Sequence, residues 1–288
     1  MKRTNVFVIG NSFSGNALTY FGELTRSAPM DIMVKHAMIG GCSLEKHWNI
    51  SCLSEKDASV RPYGTGHYIN DKEVRFNLPE TLASVPWDII TLQQVSWRSW
   101  QAETFEPGLG NLVALIKKLA PTAEIVMHQT WPYRSDSPHY KEWGIGDDQM
   151  YNGIRDAYAS YAKAYGFRVI PSGTAFYRVM KMKGRTFTAP DPSFDYEHPV
   201  YPALPKQEHT LHVGWHWREI NTDNGLPVVG YDHGHANDRG CYLAGCVWYE
   251  FFTGLDARKL TFVPGSIAAD DAAMLREAAH DAVAEHRK

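Results

Sequence analysis

The sequence predicts an α/β protein in which a mostly parallel, five-stranded sheet lies between two layers of helices. Apolar segments of strand length alternate with segments whose apolar residues recur at helical spacing, as in parallel strands joined by crossover helices. The first segment, Val6 to Ile9, is uniformly apolar, which indicates a strand covered on both faces. We therefore expect a flavodoxin-like, three-layer α/β/α sandwich with its site at the carboxyl ends of the strands.

The same reading predicts the other elements in chain order. Proline and glycine at the ends of the periodic segments, such as Pro29, Pro121 and Gly254, mark where helices stop. The predicted strands cover 6–9, 31–37, 87–94, 124–130 and 167–170. The predicted helices cover 16–27, 107–119, 148–165, 175–182, 238–253 and 270–286.

Two long segments lack a regular pattern. Residues 49–80 are polar and irregular, and residues 184–227 are rich in proline, histidine and aromatic residues. We expect both to be loop excursions, and the second to be a lid or pocket wall, because long loops in compact domains are often functional. No repeat or linker divides the chain, so residues 1–288 are predicted to form a single domain.

Composition excludes some classes of function. The net charge is −3 and charges of both signs are scattered, which argues against nucleic acid as a partner. No stretch is long and apolar enough to enter a membrane. The N-terminus runs directly into the first strand without a signal peptide, so we expect a cytoplasmic location, with export open if a leader precedes this sequence. The oligomeric state stays open.

The four cysteines form no CxxC pair and are too few for a disulfide scaffold. We expect all four to be reduced: Cys42, Cys52, Cys241 and Cys246. A bridge between the first two is the alternative in an oxidising compartment.

Candidate site residues follow the first and second predicted strands. The first strand ends in Gly10-Asn11-Ser12, where glycine permits a tight turn and Ser12 lies at the mouth of the sheet. Ser12 is a candidate nucleophile, although Ser12 or Ser14 could instead cap the next helix. Gly41 follows the second strand, where its backbone can approach a ligand and offer it an N–H group.

A second polar cluster precedes the helix over 238–253. Acyl transfer by a serine needs a base to take its proton and an acid to orient that base. Asp232 and His235 are three residues apart, so a short turn can bring the carboxylate to one imidazole nitrogen and leave the other for Ser12. His233 is the alternative base.

The developing oxyanion in such a reaction needs preorganised donors. The candidates are the backbone N–H groups of Ser12 and Gly41 and the side-chain amide of Gln93 or Gln94, which end the third strand. Neighbouring residues on a strand point to opposite faces, so the choice between the two glutamines stays open.

These blocks together resemble the SGNH (GDSL-like) hydrolase superfamily, in a bacterial branch whose first block is Gly-Asn-Ser-Phe-Ser. The resemblance implies a three-layer α/β/α esterase, with Ser12 as nucleophile, His235 as base, Asp232 as its partner and Gly41 as an oxyanion donor. Two blocks depart from the family pattern. The first has Asn11 where the superfamily has Asp, and the third has glutamines where it has Asn.

We therefore expect a serine esterase that acts on short-acyl esters, with O-acetylated carbohydrates as the favoured substrates and neither cofactor nor metal. Trp97, Trp131 and Tyr133 follow the third and fourth strands, where they are expected to contact a small-molecule or glycan ester. One alternative is a catalytically silent glycan-binding protein on the same fold. Another is a metal-dependent hydrolase that uses the recurring His209, His212 and His216 or the His-x-His pair of His233 and His235. However, His212 and His216 lack the Glu of the zinc motif His-Glu-x-x-His.

Overall fold

A five-stranded parallel sheet runs through the computed structural model, which describes residues 3–26, 28–69, 71–218 and 227–287. Two antiparallel hairpins stand beside it. In this part of the chain the strands are Arg3–Gly10 (β1), Asp31–Met38 (β2), Tyr63–Ile69 (β3), Lys72–Phe76 (β4), Ile89–Leu92 (β5), Glu124–His128 (β6), Arg168–Ile170 (β7), His212–Arg218 (β8) and Val228–Ala236 (β9).

Helices connect these strands. They are Ser12–Leu18 (α1), Phe21–Thr25 (α2), Leu44–Lys56 (α3), Leu78–Ser84 (α4), Gly108–Leu119 (α5), Pro138–Trp143 (α6), Asp147–Tyr165 (α7), Ser172–Met180 (α8), Asp238–Thr253 (α9) and Ala269–His286 (α10). Helices α3, α4 and α5 pack together, and α1, α2, α8, α9 and α10 form another group. None of the described helices is long and apolar enough to cross a membrane.

The central sheet has the order β2-β1-β5-β6-β7, and all of its strand pairs are parallel. Counted along the chain, these are sheet strands 2-1-3-4-5, so the predicted flavodoxin-like α/β fold is confirmed. The order reverses between β1 and β5, and open α/β sheets bind their ligands at such a switch point. The four residues Val6 to Ile9 at the centre of β1 are at most 1% exposed, as a strand covered on both faces requires.

The prediction for residues 49–80 was wrong. They contain most of α3, the β3–β4 hairpin and α4, with residue 70 outside the described residues. Helix α3 carries no apolar period because its buried side chains are largely polar; Ser51 and Ser54 donate hydrogen bonds to carbonyls one turn earlier. The hairpin is mostly exposed, and its two ends, Tyr63 and Phe76, stack on each other in the core.

The prediction for residues 184–227 was partly wrong. The segment is irregular as far as residue 211, but β8 then pairs with β9 in an antiparallel hairpin. Residues 219–226 of this segment, like residues 1, 2, 27 and 288, lie outside the described residues. The predicted helix 238–253 coincides with α9. The predicted helix 16–27 is two shorter helices, α1 and α2, within the described residues.

All four cysteines are free. Cys42, Cys241 and Cys246 are buried, whereas Cys52 is half-buried on α3.

Candidate active site

The turn from β1 into α1 is organised by Asn11. Its side-chain oxygen caps the helix by accepting from the N–H of Phe13 at 3.1 Å, and its amide nitrogen donates to the carbonyl of Cys42 at 3.1 Å. The side chain of Gln93 also donates to the oxygen, at 3.1 Å. Asn11 therefore ties together the ends of β1, β2 and β5, and the cap that we considered for Ser12 or Ser14 is supplied by Asn11 instead.

This network explains the asparagine in the first block. A carboxylate accepts hydrogen bonds only, whereas an amide both donates and accepts. The carbonyl of Cys42 needs a donor, and Asn11 is 1% exposed, so a charge at this position would be buried without a cationic partner among the described residues. The neutral amide satisfies both sides of the network.

The cap leaves the hydroxyl of Ser12 free to face β9. Ser12 Oγ lies 2.7 Å from His235 Nε2, and His235 Nδ1 lies 2.7 Å from Asp232 Oδ2. The other carboxylate oxygen of Asp232 accepts from the backbone N–H groups of His235 at 2.9 Å and Gly234 at 3.1 Å. The three side chains thus form one continuous hydrogen-bonded series, although Ser12 and His235 are 223 residues apart in the chain.

Electrostatics in this series suit a base and its partner. The hydrogen bond and charge of Asp232 raise the pKa of His235, against a smaller opposing effect of burial. Burial on its own would raise the pKa of Asp232, but its hydrogen bonds from the side chain and backbone of His235 hold that pKa below the usual range. Asp232 therefore stays ionised, and its negative charge favours the protonated form of His235.

A bulge in β9 aims His235 at Ser12. Between the pairs formed by Gly214 with Asp232 and by His212 with Ala236, β9 has three residues opposite one residue of β8. The backbone of the bulge is held from outside the hairpin: Trp131 Nε1 donates to the carbonyl of Gly234 at 2.9 Å.

Two further backbone contacts complete this support. The N–H of Arg134 donates to the carbonyl of His233 at 2.9 Å. Asn16 on α1 accepts from the N–H of Ala236 at 3.1 Å, which joins the hairpin directly to the helix that begins with Ser12.

The prediction that Trp131 contacts substrate was wrong. Its side chain is 0% exposed and is stacked between Phe13 and Phe176, with ring centroids 4.3 Å away on each side. Burial of this large ring between two aromatic neighbours stabilises the core, and its indole N–H supports the bulge. Trp131 therefore orients the site from below.

A cavity of about 360 Å³ opens over Ser12. Its walls carry the three hydrogen-bonded residues together with several aromatic and basic side chains. The lining residues are Asn11, Ser12, Phe13, Gly41, Val95, Ser96, Trp97, Tyr133, His139, His216, Arg218, Tyr231, Asp232, His233, Gly234 and His235. The structure thus places Gly41, Trp97 and Tyr133 at this cavity; their predicted roles toward an oxyanion and a substrate stay predictions.

Gly41 and Trp97 form one wall. Gly41 has a φ of +61°, a backbone conformation that favours glycine, and a Cβ at this position would lie 2.9 Å from Cη2 of Trp97. The indole is therefore packed directly over the Gly41 backbone while its side chain stays 45% exposed. The two residues therefore lie next to each other in the lining of the cavity.

The glutamine prediction was wrong for both residues. Gln93 and Gln94 are 0% exposed, and neither borders the cavity. Gln93 donates to Asn11 and accepts from the hydroxyl of Ser14. Gln94 donates to the carbonyl of Thr104 at 2.7 Å. Both amides are held by buried polar groups beneath the site, so neither N–H₂ group is directed to an oxyanion.

A hydroxyl pair takes their place at the cavity wall. Ser96 Oγ and the Tyr133 hydroxyl lie 2.9 Å apart, and the two residues are 5% and 4% exposed. Neither hydroxyl has another hydrogen-bond partner among the described residues. Burial raises the pKa of Tyr133 to about 12, so its proton is retained. Sequence reasoning missed Ser96, although it is the next polar side chain after the two glutamines.

A buried histidine supports the turn from the other side. His47 Nε2 lies 3.0 Å from the carbonyl of Gly10, and Nδ1 lies 2.8 Å from the Tyr63 hydroxyl. The carbonyl can only accept, so Nε2 carries the proton and Nδ1 accepts from Tyr63. Burial lowers the pKa of His47 to about 4, which keeps the ring neutral.

The remaining histidines separate into different environments. His233, the alternative base, packs its ring against Tyr133 and His139 rather than bonding to Ser12. The proposed metal-ligating histidines do not converge in the part of the chain that the structure describes; His212 is bonded to the carbonyl of Pro132, whereas His216 lines the cavity. The potential metal-ligand group found among the described residues is instead Glu250, Asp256 and His280.

Comparison with known proteins adds a family and a fold. The model of DUF4886, described as a domain of unknown function, matches residues 5–189. No protein of curated function matches the chain. The crystal structure of a DUF4886 family protein from Bacteroides uniformis is 25% identical, with a TM-score of 0.72, and the match covers 100% of this chain and 97% of that one.

A more distant match reaches beyond this family. The structure of a candidate SGNH hydrolase from Slackia heliotrinireducens is 18% identical, with a TM-score of 0.50, over 87% of this chain and 100% of that one. At this level of identity the likeness concerns the fold.

Proposed function

The chain belongs to the DUF4886 family, and from its site we propose that it is a serine esterase that hydrolyses short-acyl esters, with O-acetylated carbohydrates as substrates. One observation carries the proposal: the hydrogen-bonded series Ser12–His235–Asp232, with 2.7 Å at both of its side-chain contacts, at the floor of an open cavity. The fold shared with a candidate SGNH hydrolase supports it.

In the proposed reaction, Ser12 Oγ attacks the ester carbonyl carbon while its proton passes to His235 Nε2. The tetrahedral intermediate collapses, the bond to the alcohol oxygen breaks, and His235 returns the proton to that oxygen. Water then attacks the acyl-enzyme with the same histidine as base, which releases the carboxylic acid and restores Ser12. Asp232 stays ionised throughout and stabilises the positive charge on His235.

Three donors are proposed to stabilise the oxyanion. The N–H of Ser12 has no intrahelical acceptor because Ser12 is the first residue of α1. The N–H of Gly41 has no hydrogen-bond partner among the described residues and borders the same cavity. The third donor comes from the Ser96–Tyr133 pair. One of the two hydroxyl groups donates to the other, and the remaining O–H is free to donate to the oxyanion. Preorganised donors of this kind contribute the largest single part of many rate enhancements.

The proposed preference for short acyl groups rests on Trp97. Its indole packs against Gly41, one of the proposed oxyanion donors, and both residues line the cavity, so the indole is placed to limit the length of the acyl chain. The aromatic and polar lining of the remaining cavity suits a sugar, whose faces are apolar and whose edge carries hydroxyl groups.

Hydrolysis of 4-nitrophenyl acetate by purified variants tests the proposal. Ser12→Ala and His235→Ala are expected to lower kcat by about 10⁴-fold or more, since members of such a unit act together. Ser84→Ala and His286→Ala, at the exposed ends of two helices, are matched controls with wild-type rates. Thermal unfolding confirms that each variant is folded.

The two alternatives give different outcomes. A glycan-binding protein leaves wild type inactive on every acetyl ester tested. A metal-dependent hydrolase loses activity with a chelator, while Ser12→Ala keeps most of it.

A further inference from the structure

A second, larger cavity lies beside the catalytic one. Its volume is about 640 Å³, and aromatic and proline side chains form most of its walls. We call it the aromatic cleft. Its lining residues are Ser135, Asp136, Pro138, Ala189, Pro190, Tyr196, Trp215 and Tyr231.

The two cavities meet at Tyr231, which borders both. Trp215 is its cross-strand partner in the β8–β9 hairpin, and the two rings are stacked with centroids 4.6 Å apart. Asp232, the partner of His235, is the next residue along β9. The wall of the aromatic cleft is therefore built on the same strand that carries the proposed base and its acid.

This wall is rigid. Arg134 is 1% exposed, and its guanidinium lies 4.9 Å from the ring centre of Tyr231, on which it forms a cation–π contact. The same guanidinium is paired with Asp136, with Nε 2.7 Å from Oδ1. The hydroxyl of Tyr231 also donates to Asp136. These contacts hold the Tyr231 side of the aromatic cleft in place.

The chemistry of the lining fits a ring with apolar faces and a polar edge. Trp215, Tyr196 and Pro190 supply apolar surface, whereas Asp136 and Ser135 supply polar groups. A carboxylate offers about four acceptor positions, so Asp136 can accept from a ligand hydroxyl in addition to Arg134 and Tyr231. A pyranose ring combines both kinds of surface.

We propose that the aromatic cleft is a subsite for a second sugar ring, so that the substrate is an acylated oligosaccharide rather than an acylated monosaccharide. This inference rests on the proposed function. His235 has to return a proton to the leaving alcohol, so the alcohol half of the ester lies on the β9 side of the catalytic cavity. From there it extends past Tyr231 to Trp215.

The first test compares substrates of one and several rings. The kcat/KM of wild type is measured on acetylated methyl glucoside and acetylated cellotetraose, and again on the corresponding pairs built from xylose and from N-acetylglucosamine. In at least one series the oligosaccharide is expected to be favoured by about tenfold or more. Trp215→Ala is expected to remove that preference, and Trp215→Phe to restore most of it because an aromatic face returns.

Trp217→Ala is the matched control. Trp217 lies two residues further along β8, bonds through its indole N–H to the carbonyl of Ala203, and packs against Tyr201. It borders neither cavity. The control variant is expected to keep the wild-type preference.

A binding experiment separates this inference from the esterase proposal. Titration calorimetry measures the affinity of the three unacetylated tetrasaccharides for Ser12→Ala and for the Ser12→Ala, Trp215→Ala double variant. A loss of about tenfold or more in the double variant supports the subsite even if no ester is turned over. Equal affinities, or a wild type that hydrolyses 4-nitrophenyl acetate but prefers the oligosaccharide in none of the series, would overturn it.

Discussion

The Ser96–Tyr133 hydroxyl pair offers a sharp test of how the oxyanion is stabilised. Two hydroxyl groups have two protons, and the single hydrogen bond between them, at 2.9 Å, uses one. One buried O–H is therefore left for the cavity. Ser96→Ala and Tyr133→Phe each leave one hydroxyl, whose proton is no longer needed within the pair, whereas the double variant leaves none.

The expected magnitudes follow from that count. Removal of one oxyanion donor costs about 10²–10³ in kcat, so the double variant is expected to lose that factor. Each single variant is expected to stay within about tenfold of wild type, because the remaining hydroxyl can donate in its place; the losses are then strongly non-additive. KM changes little, since the donor acts on charge that develops in the transition state.

The assay is Michaelis–Menten kinetics on 4-nitrophenyl acetate, together with inhibition by phenylboronic acid, which forms a tetrahedral adduct with a serine. The inhibition constant is expected to rise with the loss in kcat across the four proteins. Ser99→Ala serves as a structural control: this buried side chain donates to the carbonyl of Ser96 but does not border the cavity.

Two results would refute the reasoning. One is a double variant whose kcat stays within tenfold of wild type. The other is a Ser99→Ala variant that loses as much kcat as the double variant, because the effect would then come from a displaced loop rather than from a lost donor.

Three further predictions concern pH, acyl length and stability. First, kcat/KM is expected to rise with pH through an apparent pKa above about 6.5, because Asp232 raises the pKa of His235 and the base must be neutral. Asp232→Asn is expected to move this rise in kcat/KM to lower pH and to cut kcat by about 10³–10⁴. An unchanged pH dependence of kcat/KM in the variant contradicts the assignment of His235 and Asp232. Second, Trp97→Ala is expected to raise the rate on 4-nitrophenyl octanoate relative to the acetate by about tenfold, and an unchanged ratio means that Trp97 does not limit acyl length. Third, burial lowers the pKa of three histidines to about 4, 3 and 4, namely His47, His128 and His212. The unfolded chain takes up these protons below about pH 6.5 while the folded protein does not, so stability is full above that pH and falls by about 4 kcal/mol per pH unit as the pH drops towards 4. Urea unfolding at pH 7.5, 6 and 5 measures the slope, and equal stability at all three values contradicts it.

The fold was predictable because its central strands β1, β5 and β6 are largely buried on both faces. A run such as Val6 to Ile9 is then apolar at every position, and the alternation with helices restricts the connections to parallel, right-handed crossovers. Helix α3 escaped the same reasoning because His47, Ser51 and Ser54 are buried polar residues. Their hydrogen bonds replace the apolar period that sequence patterns detect.

The blocks of the candidate site were also predictable, with less certainty about individual side chains. Ser12, Gly41, Asp232 and His235 lie where the chain must turn at the carboxyl ends of strands or in the bulge of β9, and local spacing brings Asp232 to His235. The donor after β5 was not predictable. Gln93 and Gln94 have the chemistry of an oxyanion donor, but their direction depends on partners that are distant in sequence, such as Asn11 and Thr104.

The sequence by itself therefore determined the layered α/β fold and the residues that turn at the strand ends, because these depend on local periodicity and on short spacings. Tertiary structure alone decided the inward burial of Trp131, the burial of Gln93 and Gln94, the position of the Ser96–Tyr133 pair at the cavity and the aromatic cleft beside Tyr231. Each of these depends on which buried polar or aromatic group finds its partner across the sheet. These partners are determined by packing and hydrogen bonding between distant segments, which cannot be predicted from local sequence patterns.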